Sequence, residues 1–357
     1  MPPAADFHPL RVADVETLTD DAVAIVFDVP DDLAEEFSFL PGQHVTVRAE
    51  IDRRDVRRSY SICSPAPDGP LRIGVKRIDG GLFSTYATKE LRVGDVLEVA
   101  PPVGEFVVEI DPGRASHRGA VVAGSGITPV LSMVSTVLAR EPEGRFTLIF
   151  GNRHRRSIMF LEELEALKDR YPDRLQLIHV LSREPSVVPL LSGRIDGAKL
   201  GTLLDAVVDA SSIDDWYLCG PYEMVHEAAE TLSARGWTPE HIHDELFFAE
   251  PAPERPEPAA VPADEGVPVT FTLDGRTATV IVPRDGAPVL DYVLQVRPDA
   301  PWSCRGGMCT TCRAKVSVGA AELDRNFALT QAELDRGYVL TCQAHPTTDR
   351  LELSYDA

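Results

Sequence analysis

The sequence has little of several features that would place it in other classes of protein. Its 357 residues contain no apolar run long enough to cross a bilayer and no basic-then-apolar leader after Met1. We therefore expect a cytoplasmic protein with no membrane partner. Positive charge is scarce, because 35 Lys and Arg oppose 56 Asp and Glu, for a net charge of −21. Such a surface repels nucleic-acid phosphates, so we expect no nucleic-acid partner either.

Cysteine is also scarce, with six in the chain, yet four of the six follow a defined spacing near the C-terminus. Four residues separate Cys304 from Cys309, two separate Cys309 from Cys312, and 29 separate Cys312 from Cys342. This spacing is typical of a plant-type [2Fe–2S] cluster, in which three thiolates on one loop and a fourth from a distant strand hold two irons. We expect these four cysteines to be the iron ligands and this end of the chain to transfer one electron at a time.

Two other cysteine chemistries compete with the cluster. A structural zinc site usually pairs two short Cys-x-x-Cys knuckles or includes histidine, whereas a disulfide framework is typical of small secreted domains. Neither matches three cysteines on one loop with a distant fourth. Within the loop, we expect Gly306 and Gly307 to adopt positive φ and to bring backbone N–H groups close to the cluster sulfurs.

Hydrophobic patterning divides the chain into three domains and a linker. Residues 1–112 contain short strands separated by Pro- and Gly-rich turns, which predicts an antiparallel β-barrel. Residues 113–249 alternate buried strands with helices, as in a doubly wound α/β fold with a parallel sheet. Residues 250–266, rich in Pro, Ala and Glu, predict a semi-rigid linker. Residues 267–357 predict a small α+β domain of the β-grasp type.

A few local signals predict where elements begin or turn. Thr128 is expected to cap a helix, with Pro129 at its first helical position. Asp274-Gly275 predicts a tight hairpin turn. The run from Thr330 to Glu333 predicts a capping box at the start of a short helix.

Two short motifs in the first domain suit a flat ligand that carries phosphate. Arg58-Ser59-Tyr60-Ser61 places Arg58 and Tyr60 on one face of a strand, so the arginine can pair a phosphate and the tyrosine can lie against a ring. Gly80-Gly81-Leu82-Phe83-Ser84 resembles a phosphate cradle, in which glycines let backbone N–H groups approach a pyrophosphate. Each motif alone is a weak signal, because such strand edges and Gly-Gly turns are common.

Three strand ends in the second domain suit a dinucleotide. Gly124-Ser125-Gly126-Ile127-Thr128-Pro129 lies between a buried strand and a helix, although Pro129 stands where a third glycine is usual. Cys219-Gly220-Pro221 ends a later strand, and Cys219 alone would be interpreted as an inert buried thiol. At Ser182-Arg183, an arginine can pair the 2′-phosphate of NADP, although the neighbouring Glu184 would favour NAD.

Taken in order, these motifs and Pro41-Gly42-Gln43 resemble the ferredoxin–NADP reductase superfamily. The resemblance implies that FAD is bound with Arg58 at a phosphate, Tyr60 on the isoalloxazine and Ser61 near its reactive nitrogen. It also implies that NADPH is bound with Cys219 beside the nicotinamide, so Ser61 and Cys219 are the candidates nearest to hydride transfer. The cofactor-binding residues expected on this basis are Arg58, Ser59, Tyr60, Ser61, Lys76, Gly81, Leu82, Ser84, Gly124, Ser125, Gly126, Thr128, Ser182, Arg183, Cys219, Gly220 and Pro221.

The domain order, with the ferredoxin last, resembles the reductases of multicomponent oxygenases. Four stretches, two of which lengthen motifs named above, extend that resemblance to the reductase subunits of phenylacetyl-CoA epoxidase complexes: Phe7-His-Pro-Leu10, Pro41-Gly-Gln-His44, Arg57-Arg-Ser-Tyr-Ser-Ile-Cys63 and Ser192-Gly-Arg-Ile-Asp196. It implies that electrons pass from NADPH through FAD and the [2Fe–2S] cluster to a separate di-iron oxygenase component of a multisubunit monooxygenase, in phenylacetate catabolism.

Two alternatives remain open from the residues alone. The same layout fits the reductase of a Rieske oxygenase, such as a steroid-ring hydroxylase. From a different class, a non-catalytic redox sensor would use the cluster but would not need both a flavin site and a nicotinamide site. In either reductase, we expect the partner to be recognised around the cysteine loop, at Arg305, Met308 or Arg313.

Overall fold

The structure is a computed structural model that describes residues 7–247, 258, 262 and 265–357. Most of the predicted linker, residues 250–266, lies outside the described residues, and the proposed domain boundaries stay predictions. The described chain divides into two compact units, one made of residues 8–56 and 60–247 and the other of residues 7, 57–59 and 265–357. In the part of the chain that is described, no helix has the length and apolar character to cross a membrane.

The N-terminal part of the chain folds into an antiparallel barrel. Its elements are β1 (His8–Thr19), β2 (Ala22–Asp28), β3 (His44–Ile51), β4 (Arg54–Ser61), β5 (Arg72–Lys76), α1 (Leu82–Lys89) and β6 (Val96–Val99). The strand order is β4-β3-β6-β1-β2-β5, and a bridge between Ile62 and Ile73 closes the sheet. Alternate side chains of the strands point inward, and Ile25, Ile73 and Phe83 lie in the barrel core. The predicted barrel is confirmed.

A doubly wound α/β layer follows. Its elements are β7 (His117–Ala123), α2 (Ile127–Arg140), β8 (Arg145–Asn152), α3 (Leu161–Arg170), β9 (Leu175–Leu181), α4 (Gly197–Ala206), β10 (Asp215–Gly220), α5 (Tyr222–Ser233) and β11 (Ile242–Leu246). The five strands are parallel, in the order β11-β10-β7-β8-β9. The chain winds from β7 outward to β9 and then returns to the other side of β7. This reversal creates a topological switch point between β7 and β10, where ligands of such sheets bind.

The start of α2 differs from the prediction. Gly126, rather than Thr128, occupies the N-cap, because a single 3₁₀ turn over Gly124–Gly126 already bends the backbone into the helix. Thr128 lies inside the first turn, where its hydroxyl donates to the carbonyl of Ser125 at 2.9 Å. Pro129 is the third helical residue, still within the turn whose N–H groups have no helical acceptor.

Helix α2 also packs against the barrel. The Ser132 hydroxyl donates to the carbonyl of Ser64 at 2.5 Å, and the Ala66 N–H donates to the Thr136 hydroxyl at 2.9 Å. Gly74 of β5 allows the closest approach, because a Cβ there would lie 2.6 Å from the Thr128 methyl group. Barrel residues Ala22, Ala24 and Cys63 therefore share a hydrophobic core with α2.

The C-terminal unit has a mixed sheet with one main helix. Its elements are β12 (Val267–Leu273), β13 (Arg276–Val282), α6 (Val289–Val296), β14 (Arg313–Val318), β15 (Ala321–Leu323), α7 (Gln331–Asp335), β16 (Tyr338–Leu340), β17 (Ala344–Pro346) and β18 (Leu351–Ser354). Five strands lie in the order β13-β12-β18-β14-β16, while β15 and β17 form a separate ribbon. The predicted hairpin is confirmed, with φ of 52° at Asp274 and 68° at Gly275. The capping box is confirmed too, because Thr330 and Glu333 bond to each other's backbone N–H.

A buried ion pair holds the start of β7 against the C-terminus of α2. The Arg118 guanidinium donates to both carboxylate oxygens of Glu141, at 2.6 and 3.0 Å. Ser116 and the Asp111 N–H also donate to that carboxylate, at 3.0 Å each. Burial alone would raise the pKa of Glu141, but the hydrogen bonds from Arg118 and Asp111 outweigh it and hold that pKa below its usual range.

We expect Glu141→Gln to lower the free energy of unfolding by about 3 kcal/mol, because it leaves the buried Arg118 charge without a counter-ion. Urea unfolding followed by tryptophan fluorescence measures this change, and Glu143→Gln, at an exposed neighbouring site, is the control. The pKa of Glu141 is lower in the folded protein than in the unfolded chain. Its ionised carboxylate therefore adds to the free energy of unfolding above the normal glutamate pKa, and this stabilisation is lost as the pH falls through the folded pKa. A variant as stable as the control at neutral pH would contradict this role.

Candidate functional site

The three cysteines of the C-terminal loop and the distant Cys342 come together as two pairs. Cys304 shares a hydrogen bond with Cys309, and Cys312 shares one with Cys342. Within the described ranges, no three His, Cys, Asp or Glu side chains converge on a site for a single metal ion. A [2Fe–2S] cluster needs two ligands for each of its two irons, so two cysteine pairs fit it better than they fit one zinc ion.

Hydrogen-bond donors surround the sulfur atoms. The Gly306 N–H donates to Cys304 Sγ at 3.3 Å, and Gln343 Nε2 donates to Cys342 Sγ at 3.4 Å. The hydrogen bond from Cys309, followed by backbone N–H donors, lowers the pKa of Cys304 to about 5. Such donors stabilise thiolates, the form in which cysteine binds iron. The loop therefore provides hydrogen-bond donors to its sulfur atoms, as the cluster requires.

One of the two glycine predictions for this loop is confirmed and the other is wrong. Gly307 has φ of 80°, and a Cβ there would lie 2.9 Å from the Arg325 carbonyl, so only glycine fits without strain. Gly306 does not have positive φ, although its N–H does approach a sulfur as expected. The left-handed turns fall instead at Arg305 and Thr310, with φ of 50° and 52°.

Arg305 is held firmly by its neighbours. Its guanidinium lies 3.2 Å from the buried carboxylate of Asp291 and 4.2 Å from the ring centroid of Trp302. Its carbonyl accepts a hydrogen bond from Gln343 Nε2 at 2.8 Å. These contacts fix the loop between the first two cysteines.

In the other unit, the two nicotinamide motifs meet at the switch point. Cys219 of β10 pairs in register with Val122 of β7, which brings both strand ends to the same sheet edge. A Cβ on Gly126 would lie 2.3 Å from the Cys219 carbonyl, so the two motifs can approach only because residue 126 is glycine. Gly124, with φ of 56°, has no atom within 4 Å of the place where its Cβ would be. That open space adjoins the start of α2, as a phosphate site requires.

Cys219 is fully buried. Burial, and next the Glu245 carboxylate, raise the pKa of Cys219 well above that of a free thiol, so it is a neutral thiol at physiological pH. Gly220 and Pro221 turn the chain from β10 into α5, with Pro221 at the N-cap of the helix.

Ser61 and Cys219 are linked through Glu245, a residue that the sequence motifs do not include. The Ser61 hydroxyl donates to Glu245 Oε2 at 3.2 Å, and Glu245 pairs in register with Cys219. His44 Nδ1 lies 3.7 Å from Glu245 Oε1. One feature of the sequence could have indicated Glu245: it is a carboxylate inside a short strand, Ile242–Leu246, that pairs with the strand of Cys219.

The two flavin motifs are also brought together. The rings of Tyr60, near the end of β4, and Phe83, in the first turn of α1, pack with centroids 5.3 Å apart. Helix α1 begins at Leu82 with Gly81 at its N-cap and no side-chain cap, so its first N–H groups suit a pyrophosphate. The Ser84 hydroxyl accepts from the Ile78 N–H at 3.1 Å and so shapes this turn.

Arg58 and Ser59 lie immediately before Tyr60 in β4. The Arg58 guanidinium donates to the carbonyl of Arg57 at 2.7 Å. Their contacts with a flavin stay predictions.

A cleft of about 250 Å³ brings the predicted residues Lys76 and Arg183 together. It is lined by Asp20, Asp21, Lys76, Arg153, His154, Arg156, Ser157 and Arg183. Sequence reasoning missed Arg153 and Arg156, which follow β8 directly. Backbone hydrogen bonds bring the segment after β8 beside the segment after β9. The Ser182 and Arg183 N–H groups donate to the carbonyls of Asn152 and Arg153 at 2.8 and 2.9 Å. With four cationic side chains and two carboxylates, the cleft suits a phosphate.

Asn152 is a further residue that sequence reasoning missed. It lies at the carboxyl end of β8, and only 7% of its surface is exposed. Within the described part of the chain, neither atom of its side-chain amide has a hydrogen-bond partner. Buried amides are almost always satisfied, so this one fits a site that a polar ligand completes.

Comparisons with known proteins agree with this arrangement. Three family models match: the oxidoreductase FAD-binding domain over residues 9–108, the oxidoreductase NAD-binding domain over 121–230, and the 2Fe-2S iron-sulfur cluster binding domain over 271–347. The chain is 42% identical to one of the subunits of 1,2-phenylacetyl-CoA epoxidase from Escherichia coli K12, over 98% of each chain. It is 32% identical to the ferredoxin reductase component of 3-ketosteroid-9-alpha-monooxygenase from Rhodococcus rhodochrous, over 97% of this chain and 96% of the other.

Among solved structures, phthalate dioxygenase reductase has a similar fold. The two chains superpose with a TM-score of 0.60 at 22% identity, and the match covers 98% of each. This likeness shows the three-part fold. It confirms the barrel, the doubly wound layer and the C-terminal cluster domain as one known architecture.

We expect Cys309→Ser to abolish the [2Fe–2S] cluster, because it removes one of two ligands from one iron. Iron content and the visible spectrum of the purified protein measure the loss, and reduction of flavin by NADPH in the same variant should persist. Cys63→Ser is the matched control, since Cys63 is a buried thiol of the barrel whose S–H donates to the Arg72 carbonyl. A Cys309→Ser protein with a full iron complement would refute the ligand assignment.

Proposed function

The chain belongs to the ferredoxin–NADP reductase superfamily, among the reductase components of multicomponent oxygenases, and from this we propose that it carries electrons from NADPH to the oxygenase component of a phenylacetyl-CoA epoxidase. The chain is an oxidoreductase with FAD-binding, NAD(P)-binding and [2Fe–2S] domains. When bound, FAD and the cluster would together convert a transfer of two electrons into two transfers of one electron each. The chain's own residues supply position and electrostatics.

The hydrogen bond from Ser61 to Glu245 carries the proposal, because it joins the expected flavin strand to the strands that hold the expected nicotinamide site. A serine hydroxyl has one proton and two lone pairs. Since that proton is directed to Glu245, the Ser61 lone pairs remain to accept a hydrogen bond from the cofactor. Cys219, a neutral buried thiol, provides a compact neighbour for the nicotinamide without adding charge.

The preference for NADPH over NADH is supported by the cationic cleft. Arg183, Arg153 and Arg156 line it together, so a 2′-phosphate would meet several guanidinium groups. Glu184, which would favour NAD, does not line the cleft itself: its carboxylate accepts the Arg155 N–H at 2.8 Å, and it lines an adjoining cavity that shares His154 and Arg156 with the cleft. Asn152, beside this cleft in sequence, is the residue we expect to bond the sugar or base of the nucleotide.

The proposed acceptor follows from the 42% identity to the epoxidase subunit over nearly the whole chain. The reductase of a Rieske-type ketosteroid hydroxylase is the second candidate, since the ketosteroid relative also matches over nearly the whole chain. We place the protein in the cytoplasm, where the thiols that bind iron stay reduced.

The deciding experiment combines the purified holoenzyme and NADPH with the oxygenase component of phenylacetyl-CoA epoxidase, or separately with that of a ketosteroid 9α-hydroxylase. We expect NADPH oxidation coupled to epoxide formation with the first partner and little coupled product with the second. Rapid reduction of ferricyanide, with coupling only to the ketosteroid component, would overturn the epoxidase assignment and keep the reductase. Failure to oxidise NADPH with any acceptor would overturn both.

We expect Arg183→Ala to raise the KM for NADPH about tenfold, with a much smaller change for NADH, because a lost phosphate contact affects NADPH alone. Steady-state reduction of ferricyanide with each nucleotide measures both constants. Arg170→Ala, at the exposed end of α3, is the control. Equal effects of Arg183→Ala on both nucleotides would count against the phosphate contact.

A further inference from the structure

We propose that the C-terminal unit recognises its electron acceptor through a cationic patch around Tyr338, and that the acceptor presents an acidic surface to it. The patch consists of Tyr338, Arg313, Lys315 and Arg336, and we call it the Tyr338 patch. The inference rests on the proposed function, because it specifies the chemistry of the surface that the oxygenase component would use.

Three cationic groups surround one aromatic ring in this patch. The Arg313 guanidinium carbon lies 4.6 Å from the centroid of the Tyr338 ring, Lys315 Nζ lies 5.6 Å away, and the Arg336 guanidinium carbon lies 5.9 Å away. Pairing between β14 and β16 creates the arrangement, since Lys315 stands opposite Tyr338. The ring therefore brings three charged groups together through cation–π contacts.

The positive charge of the patch is only partly neutralised. Glu333 pairs with Arg313 at 2.8 Å. Lys315 and Arg336 are exposed, and among the residues that the structure describes neither is found in an ion pair. The patch therefore keeps a local positive field in a chain whose net charge is −21.

The patch lies directly over one of the two cysteine pairs. Arg313 follows Cys312 in the sequence, and Tyr338 packs against the small hydrophobic cluster that contains Cys312 and Cys342. The Thr341 hydroxyl donates to the Cys312 carbonyl at 2.9 Å, which fixes the two ligand strands together. A protein seated on the patch would therefore contact Tyr338, a side chain that packs against the cluster containing this pair.

Charge complementarity identifies the occupant as acidic. At physiological ionic strength, screening limits the reach of exposed charges to about 8 Å, so charges at the contact matter more than the net charge of the chain. Aromatic and arginine side chains together are typical of contact surfaces between proteins. Because β16 is an edge strand of the sheet, the patch is also at a margin that a partner can approach.

The test uses the full-length holoenzyme with Lys315→Glu and Arg336→Glu combined. The matched control combines Arg276→Glu and Arg284→Glu, which reverse two exposed charges on or beside β13, the opposite edge strand. We expect the patch variant to raise the KM for the epoxidase oxygenase component about tenfold, with the KM for NADPH unchanged. Reduction of cytochrome c, a basic protein, should not fall in the patch variant. Equal KM values for the oxygenase component in the patch variant, the control and the unmodified protein would overturn the proposal.

A second measurement tests whether the patch binds an acidic surface, even if the epoxidase is not the partner. At physiological ionic strength, where charges at the contact matter more than the net charge of −21, we expect immobilised poly-L-glutamate to retain the unmodified protein and the control but not the patch variant. Passage of the unmodified protein through the resin would overturn the proposal. Analytical ultracentrifugation tests whether the protein associates with itself. If the unmodified protein associates and the patch variant does not, the patch binds a second copy of this acidic chain, and the assignment to an acceptor is overturned.

Discussion

The packing of helix α2 is the constraint on which the geometry of the reductase unit depends. Its N-terminus follows the predicted nucleotide loop at the switch point, while its later turns are bonded to the barrel through Ser132 and Thr136. One helix therefore positions both predicted cofactor sites. Two glycines make this possible. Gly74 allows the helix to pack closely against the barrel, and Gly126 allows the loop to approach the Cys219 backbone. A side chain at either position would push the flavin and nicotinamide motifs apart.

The hydrogen bond between Ser61 and Glu245 follows from that packing. The serine comes from the barrel and the glutamate from the last strand of the parallel sheet, 184 residues later. A contact so distant in sequence has no loop to hold it in place. It forms because α2 has already fixed the barrel against the sheet to within the length of a hydrogen bond. Proximity of this kind, rather than acid–base chemistry, is what transfer between two bound cofactors requires.

Local signals in the sequence predicted those parts of the fold that are set by neighbours along the chain. The cysteine spacing, the turn at Asp274-Gly275 and the capping box at Thr330 belong to this class, because each is decided within a few residues. Thr128 shows the limit of such signals, since the preceding 3₁₀ turn displaced the helix start by two residues. Glu245 and Asn152 could not have been predicted, because their significance comes from strand order in a parallel sheet. Roles of the predicted binding residues in holding cofactors remain predictions.

The shape of the cysteine loop depends on contacts made by Arg305. A left-handed backbone costs a non-glycine residue about 1 kcal/mol or more, and glycine at position 305 would avoid that cost. Arginine stands there instead with φ of 50°, and its side chain bonds the buried Asp291 and covers Trp302. The ion pair offsets the strain and anchors the loop to α6, since Asp291 belongs to that helix. Because the loop is anchored between Cys304 and Cys309, those two thiols are held as a pair, and the four expected ligands are arranged two by two, as a binuclear cluster requires.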